Sequence, residues 1–202
     1  MDFKTLYATL LHHKCFVFSQ RDILSFYPSE KKESLKQALS RWRKKGWIQP
    51  LKKGLYELSY PEDRVLPDLW IANQLYSPSY VSLETALSYY SLIPEVSMAV
   101  TSVTTKPTRR FKNKHGLFIY RTVKPSAFTG YHVEQYRECD LLIAEPEKAL
   151  VDYLYFKTCR RKKFDFAEER WDKKLIRRLE RGKLTRYSKL YRMDWEEIDA
   201  HL

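Results

Sequence analysis

Basic and amide side chains recur through residues 31–53 at spacings that suit contact with a polyanion. Lys32, Lys36, Gln37, Arg43 and Lys44 fall on one side of a helical stretch whose other side carries Leu35, Leu39 and Trp42. Amide and guanidinium groups on such a helix can read base edges in a major groove, while nearby lysines meet phosphates. Lys36, Gln37, Ser40 and Arg43 or Lys44 are the candidates for the groove-facing side. Lys31, Lys32, Lys52 and Lys53 are the candidates for phosphate contact. A second basic series, Lys106, Arg109, Arg110, Lys112 and Lys114, is the candidate for additional basic surface.

The competing chemistry is hydrolytic. Asp140, Glu145, Glu147 and Lys148 are the best set for a metal-dependent nuclease. Such a core needs Glu-x-Lys on one strand with both side chains facing the same way. Here Pro146 stands two before Lys148, and the segment reads as the start of a helix. Glu145 and Glu147 then read as first-turn partners of the helix dipole. The alternative to a binding protein is therefore a metal-dependent nuclease, or a toxin-modifying enzyme, using second-half carboxylates such as Asp140, Glu147 and Asp152. The five glycines fit turns and caps, and neither GxxxxGK[ST] nor GxGxxG occurs. His12, His13, His115, His132 and His201 lack ligand spacing, and Cys15, Cys139 and Cys159 form no CxxC. No cofactor or metal site is expected, and free thiols suit a reducing cytoplasm.

Placing the basic helix requires its neighbours. Phe3, Leu6, Tyr7, Leu10 and Leu11 predict a helix over residues 2–13, and Phe16-Val17-Phe18 a short strand. Ser19 is the expected N-cap of a helix through Phe26, and Tyr27-Pro28 breaks it. Ser29 is the expected cap of the basic helix, and Gly46 supplies the left-handed residue beyond its end. Trp47-Ile48-Gln49-Pro50-Leu51, Lys52-Lys53-Gly54 and Leu55-Tyr56-Glu57-Leu58 read as a hairpin with a basic turn. This order is that of a winged helix-turn-helix over residues 1–60.

Residues 61–67, polar and bounded by prolines, read as a linker to a larger unit over 68–202. There, helices are expected at Asp68–Leu75, after a Ser82 cap, from Pro146 through Phe156, from Phe166 to a stop at Gly182, and over Leu184–Tyr191. Arg170, Lys173, Lys174, Arg177 and Arg181 would share one side of the long helix, opposite Trp171, Leu175 and Leu179. Strands are expected around Val100–Thr105, Arg109–Phe111, Leu117–Arg121 and Asp140–Ala144, with a turn at Asn113-Lys114-His115-Gly116. The fold class is α+β: a winged helix-turn-helix plus a larger α+β domain with a small, mostly antiparallel sheet.

The net charge of +12 favours a polyanionic partner, because released counterions drive such association. It is concentrated in blocks: net +7 over residues 1–60, +7 over 101–125 and +10 over 157–192, with acidic stretches between. No apolar run is long enough to span a bilayer, and Met1-Asp2-Phe3-Lys4 opens an ordinary amphipathic segment with no signal peptide, so a cytoplasmic protein is expected.

Three segments carry a family resemblance. Tyr80-Val81-Ser82-Leu83-Glu84-Thr85-Ala86-Leu87-Ser88-Tyr89-Tyr90-Ser91-Leu92-Ile93-Pro94-Glu95 is followed by Val100–Lys106 and Arg109-Arg110-Phe111. Ile143-Ala144-Glu145-Pro146-Glu147-Lys148-Ala149-Leu150-Val151-Asp152 comes next in order, and Lys53-Gly54-Leu55-Tyr56 closes the hairpin upstream. In these motifs the chain resembles the AbiEi-type antitoxins; residues after about 155 match loosely. The resemblance implies an N-terminal winged helix that represses its own operon by binding inverted repeats, and a C-terminal domain needed for antitoxicity. It also implies a nucleotidyltransferase-like toxin as functional partner, with or without a stable complex, in a setting of phage defence by abortive infection.

Overall fold

The computed structural model describes residues 1–59, 65–136, 139–158 and 170–199, with the side chains of Glu197 and Asp199 outside that description. The chain divides into two compact units, Met1–Leu66 and Pro67–Leu202. Residues 60–64, most of the expected linker, lie outside the described residues.

Unit 1 runs α1 (Phe3–His12), β1 (Val17–Ser19), α2 (Gln20–Phe26), α3 (Lys32–Lys44), β2 (Ile48–Lys52) and β3 (Leu55–Leu58). The three strands form one antiparallel sheet in the order β1-β3-β2. Ser19 caps α2 as the sequence predicts: its hydroxyl accepts from the Asp22 amide, and the Asp22 carboxylate accepts from the Ser19 amide at 2.6 Å. The start of α3 differs from expectation. Lys31 is the N-cap and makes no side-chain cap bond, so Ser29 does not cap this helix. The chain instead turns at Tyr27, whose carbonyl accepts from the Glu30 amide, and α3 begins only afterwards.

One apolar cluster holds unit 1 together. Leu6 and Leu10 of α1, Phe18, Ile23, Leu35, Ala38, Leu39 and Trp42 of α3, Ile48 and Leu58 are its buried members. Phe3 sits between Trp42 and Trp47, with ring centroids 5.5 and 4.5 Å away. Pro50 is tolerated because β2 lies at the sheet edge, and a register shift between Pro50 and Lys52 lets the strand bend into its turn.

Unit 2 contains α4 (Asp68–Leu75), β4 (Ser79–Val81), α5 (Leu83–Tyr89), β5 (Ala99–Thr104), β6 (Arg109–Asn113) and β7 (Gly116–Thr122). A 3-10 turn (Pro125–Ala127), β8 (Tyr131–Tyr136), β9 (Cys139–Ala144), α6 (Pro146–Thr158), α7 (Lys173–Ile176), α8 (Arg181–Leu190) and α9 (Trp195–Asp199) complete it. Its sheet is larger than expected and mixed. Six strands run in the order β6-β7-β5-β4-β9-β8, with β5–β7 and β4–β9 parallel and the other pairs antiparallel. The extra strands are β4 and β8, and the mixed character comes from the parallel pairs β5–β7 and β4–β9. β4 is only three residues long yet bridges the two halves of the sheet. β8, Tyr-His-Val-Glu-Gln-Tyr, has no clean apolar–polar alternation to announce it.

The long helix expected over 166–181 does not form. Residues 159–169 lie outside the described residues. From Arg170 to Asp172 the chain is not helical, and the Asp172 amide donates to the Leu92 carbonyl at 3.0 Å. The Asp172 carboxylate then caps the single-turn α7 by accepting from the Lys174 and Leu175 amides. At the other end the Glu180 amide donates to Glu147 Oε1, so the chain leaves one helix and starts α8. Gly182 therefore lies in the first turn of α8 instead of closing a helix. The five cations expected on one strip are distributed over three segments of different backbone conformation. Among the described residues, no helix is long and apolar enough to cross a membrane.

Candidate nucleic-acid interface

The 100° step of an α-helix assigns each residue of α3 an angle around its axis. Leu35, Ala38, Leu39 and Trp42 are buried and fall within an arc of about 100°. The rest, from Lys32 and Arg43 through Lys36, Ser40 and Lys44 to Gln37 and Arg41, is exposed and spans about 180°. Every candidate groove residue thus shares one solvent-facing half-cylinder. Helical periodicity sets this division, and the burial of Trp42 and Leu39 in the unit 1 core agrees with it.

The turn after β2 carries the next two candidate cations, in the same unit. Gly54 takes the left-handed conformation (φ +78°) that closes the hairpin, leaving Lys53 exposed and Lys52 half-buried. Lys31 is exposed at the start of α3. Two cations that sequence reasoning left out also belong here. Arg41 lies at the edge of the exposed arc, and Lys45 follows the helix with its ammonium 4.5 Å from the Trp47 ring centroid. Arg41 was legible as one more residue on the polar side of the wheel. Glu33 is the one carboxylate within the arc, in the first turn where the helix dipole favours it.

The second basic series does not make one face. Arg109, Arg110 and Lys112 lie on β6, an edge strand, where successive side chains alternate sides. Phe111 packs against Tyr76 and Tyr120, at 5.6 and 5.7 Å between centroids. Arg109 shares that side, while Arg110 and Lys112 point the other way. Lys106 donates to the Ser77 carbonyl and lies 5.5 Å from the Tyr76 ring, and Lys114 sits in the β6–β7 turn. All five are exposed, but they decorate the rim of the sheet.

The carboxylates offered for the enzymatic alternative are held apart by separate partners. Glu145 accepts from the Tyr187 hydroxyl at 2.8 Å and pairs with Lys183 at 3.1 Å. Burial pushes its pKa up, but these two partners outweigh that and hold it below the usual carboxylate range. Glu147 is buried and accepts from the Glu180 amide, and Asp140 accepts from the Gln135 side chain. Both glutamates thus tie α6 to the chain around α8, a tertiary role that the first-turn reading did not foresee.

Lys148 and Asp152 form a buried ion pair one turn apart on α6, each side chain 0% exposed. All three ammonium donors are used, on Asp152, on the Tyr80 hydroxyl at 3.0 Å and on the Tyr191 hydroxyl at 3.1 Å. Asp152 also accepts from Tyr80 (3.0 Å), Ser82 (2.8 Å) and Tyr191 (2.5 Å). Ser82 is spent on this cluster and makes no side-chain cap bond to α5, contrary to expectation. Burial, reinforced by Asp152, pushes the Tyr80 and Tyr191 hydroxyls well above the usual phenol range. Burial also lowers the Lys148 pKa, by more than Asp152 raises it. This closed network welds β4, α5, α6 and α8 together and has no exposed reacting atom. An open cleft of about 560 Å³, lined in part by Ser88, Ile93, Val96 and Trp171, contains none of the candidate residues.

No protein-family model matches the chain, and no match is found among curated proteins.

Proposed function

We propose that the chain is a DNA-binding repressor of its own operon and the antitoxin of an abortive-infection toxin–antitoxin pair. In this reading α2 and α3 are a helix-turn-helix, α3 enters the major groove, and the β2–β3 hairpin is a wing whose turn meets the flanking phosphates. The observation that carries it is the half-cylinder of α3. Four lysines and arginines of the candidate set, with Gln37 and Ser40, are all exposed on one side, in the same unit as the exposed Lys53. Any amphipathic helix exposes its polar side; what favours a polyanion here is that this side carries cations with a single carboxylate, Glu33.

The antitoxin half rests on the resemblance of residues 80–111 and 143–152 to AbiEi-type antitoxins, with operator inverted repeats and a nucleotidyltransferase-like toxin as the partners it implies. The enzymatic reading loses support from the carboxylates: Glu145, Glu147 and Asp152 are each occupied in holding α6 and α8, and none shares an open site with another.

The test is operator binding by the Lys52→Ala, Lys53→Ala double variant across a salt series. Each phosphate contact contributes about 0.9 to the slope of log K against log salt, so the double variant should flatten it by about 1–2. Affinity should fall alike for operator and unrelated duplex. Gln37→Ala should instead reduce discrimination between them, with the salt slope unchanged. An unaltered slope in the lysine variant refutes the wing assignment. For the antitoxin, co-expression with the toxin encoded beside it should restore growth, and failure to do so refutes that half.

A further inference from the structure

The sheet of unit 2 ends in two edge strands of opposite character. An open edge offers unpaired N–H and C=O groups to any incoming strand, and cations along it oppose pairing with a like edge. β6 is defended in this way. Antiparallel pairing of β6 with a second β6 about Phe111 would set Arg110 opposite Lys112 twice over. β8 carries no such defence. It has one carboxylate, one imidazole and four uncharged residues, and among the described residues no strand pairs with it on the side away from β9.

Its sequence is complementary to itself. In antiparallel pairing about Val133, Val133 meets Val133, His132 faces Glu134 on both sides of the two-fold axis, and Tyr131 faces Gln135. Directly opposed residues share a face of the sheet. His132 and Glu134 already face the same way, with Nε2 and Oε2 3.2 Å apart, and the other Glu134 oxygen accepts from Tyr89 at 3.3 Å. Two imidazoles and two carboxylates would therefore alternate around the axis. Val133 is 58% exposed and Tyr131 36% exposed, although the Tyr131 ring stacks on buried Tyr80 with centroids 4.7 Å apart. A second β8 would lie directly beside both.

We infer that β8 is an interface between two copies of this chain, paired antiparallel about Val133 so that their sheets run into one. The occupant is a second copy because its own edge sets an imidazole, able to donate an N–H, opposite each carboxylate acceptor and a valine opposite the valine. The contact is isologous, as two-fold dimers require. It stands independently of the DNA-binding reading.

Sedimentation velocity on the full chain, from about 1 to about 100 μM, measures the association. Val133→Lys sets two ammonium groups against each other on the axis and should raise the dimer dissociation constant about tenfold or more. Lys112→Glu on β6 should leave it unchanged. Val133→Cys places two thiols at adjacent positions across the axis, within reach of a disulfide. Mild oxidation should therefore yield a covalent dimer well above the parent's background from Cys15, Cys139 and Cys159. If Val133→Lys fails to fold, as judged by its circular dichroism, the cysteine variant alone decides. A chain that stays monomeric with no excess cross-linking overturns the proposal, as does a dimer that a folded Val133→Lys variant leaves equally tight.

Discussion

Asp152→Ala and Lys148→Met perturb the same buried pair, yet the structure predicts unequal losses. Removing one member of a buried ion pair costs about 3–5 kcal/mol, because the remaining charge stays desolvated. Lys148→Met leaves Asp152 accepting from three hydroxyls, Tyr80, Ser82 and Tyr191, so its loss belongs near the lower end. Asp152→Ala strands an ammonium on two hydroxyl groups and deprives all four donors of their acceptor, so its loss belongs at or above the upper end. For a unit of this size each kcal/mol moves the melting midpoint by about 3–4 °C, which separates the two variants by several degrees. Lys148→Met with Asp152→Ala removes both charges together and should cost less than the sum of the two single losses by about 2 kcal/mol or more. Urea unfolding of the full chain, followed by far-ultraviolet circular dichroism, measures all three variants. Operator binding is the internal control, since neither residue lies in unit 1. Losses below about 1 kcal/mol, a reversed order, or strict additivity would refute the view that this cluster is a closed, mutually satisfied network.

The Gly130 backbone has φ +73°, and a Cβ there would come within 2.7 Å of the Tyr187 ring, so Gly130→Ala should lose about 2–4 kcal/mol by urea titration. Glu145 has its folded pKa depressed below the unfolded value, so its stabilisation is complete above about pH 4.3 and is lost as pH falls through the folded pKa. Tyr187→Phe removes one of the two partners responsible. That should shift acid unfolding to higher pH and cost about 1–2 kcal/mol at neutrality, read by circular dichroism against pH. Arg110→Ala with Lys112→Ala, on the side of β6 away from Phe111, should lower the salt slope of duplex binding only if the sheet rim touches DNA. An unchanged slope takes this side of β6 out of the contact.

Local signals explain most of what the sequence made legible. The capping box at Ser19 and Asp22 acts over three residues, and the turn at Lys53-Gly54 needs only a glycine free to take positive φ. The polar and apolar sides of α3 follow from helical periodicity alone, so the candidate contact residues could be named before any packing was known. The Ser29 cap failed because a competing turn at Tyr27 and Glu30 occupies the chain first. The helix over 166–181 failed because its periodicity is real but its backbone partners are elsewhere, at Leu92 and Glu147.

By itself, then, the sequence determined the elements of unit 1, the solvent-facing side of α3 and the basic turn beyond β2, because each depends on neighbours within a few residues. Only the tertiary structure decided that Lys148 and Asp152 are fully buried, that the hydroxyl of Ser82, the N-cap residue of α5, serves Asp152 and not the first turn of that helix, and that β4 joins the two halves of a mixed sheet. Those outcomes rest on partners from about 40 to 70 positions away, such as Tyr191, Ser82 and Tyr80. The i, i+4 spacing of a lysine and an aspartate reads equally well as an exposed surface pair, and burial, which spacing does not encode, decides between the two.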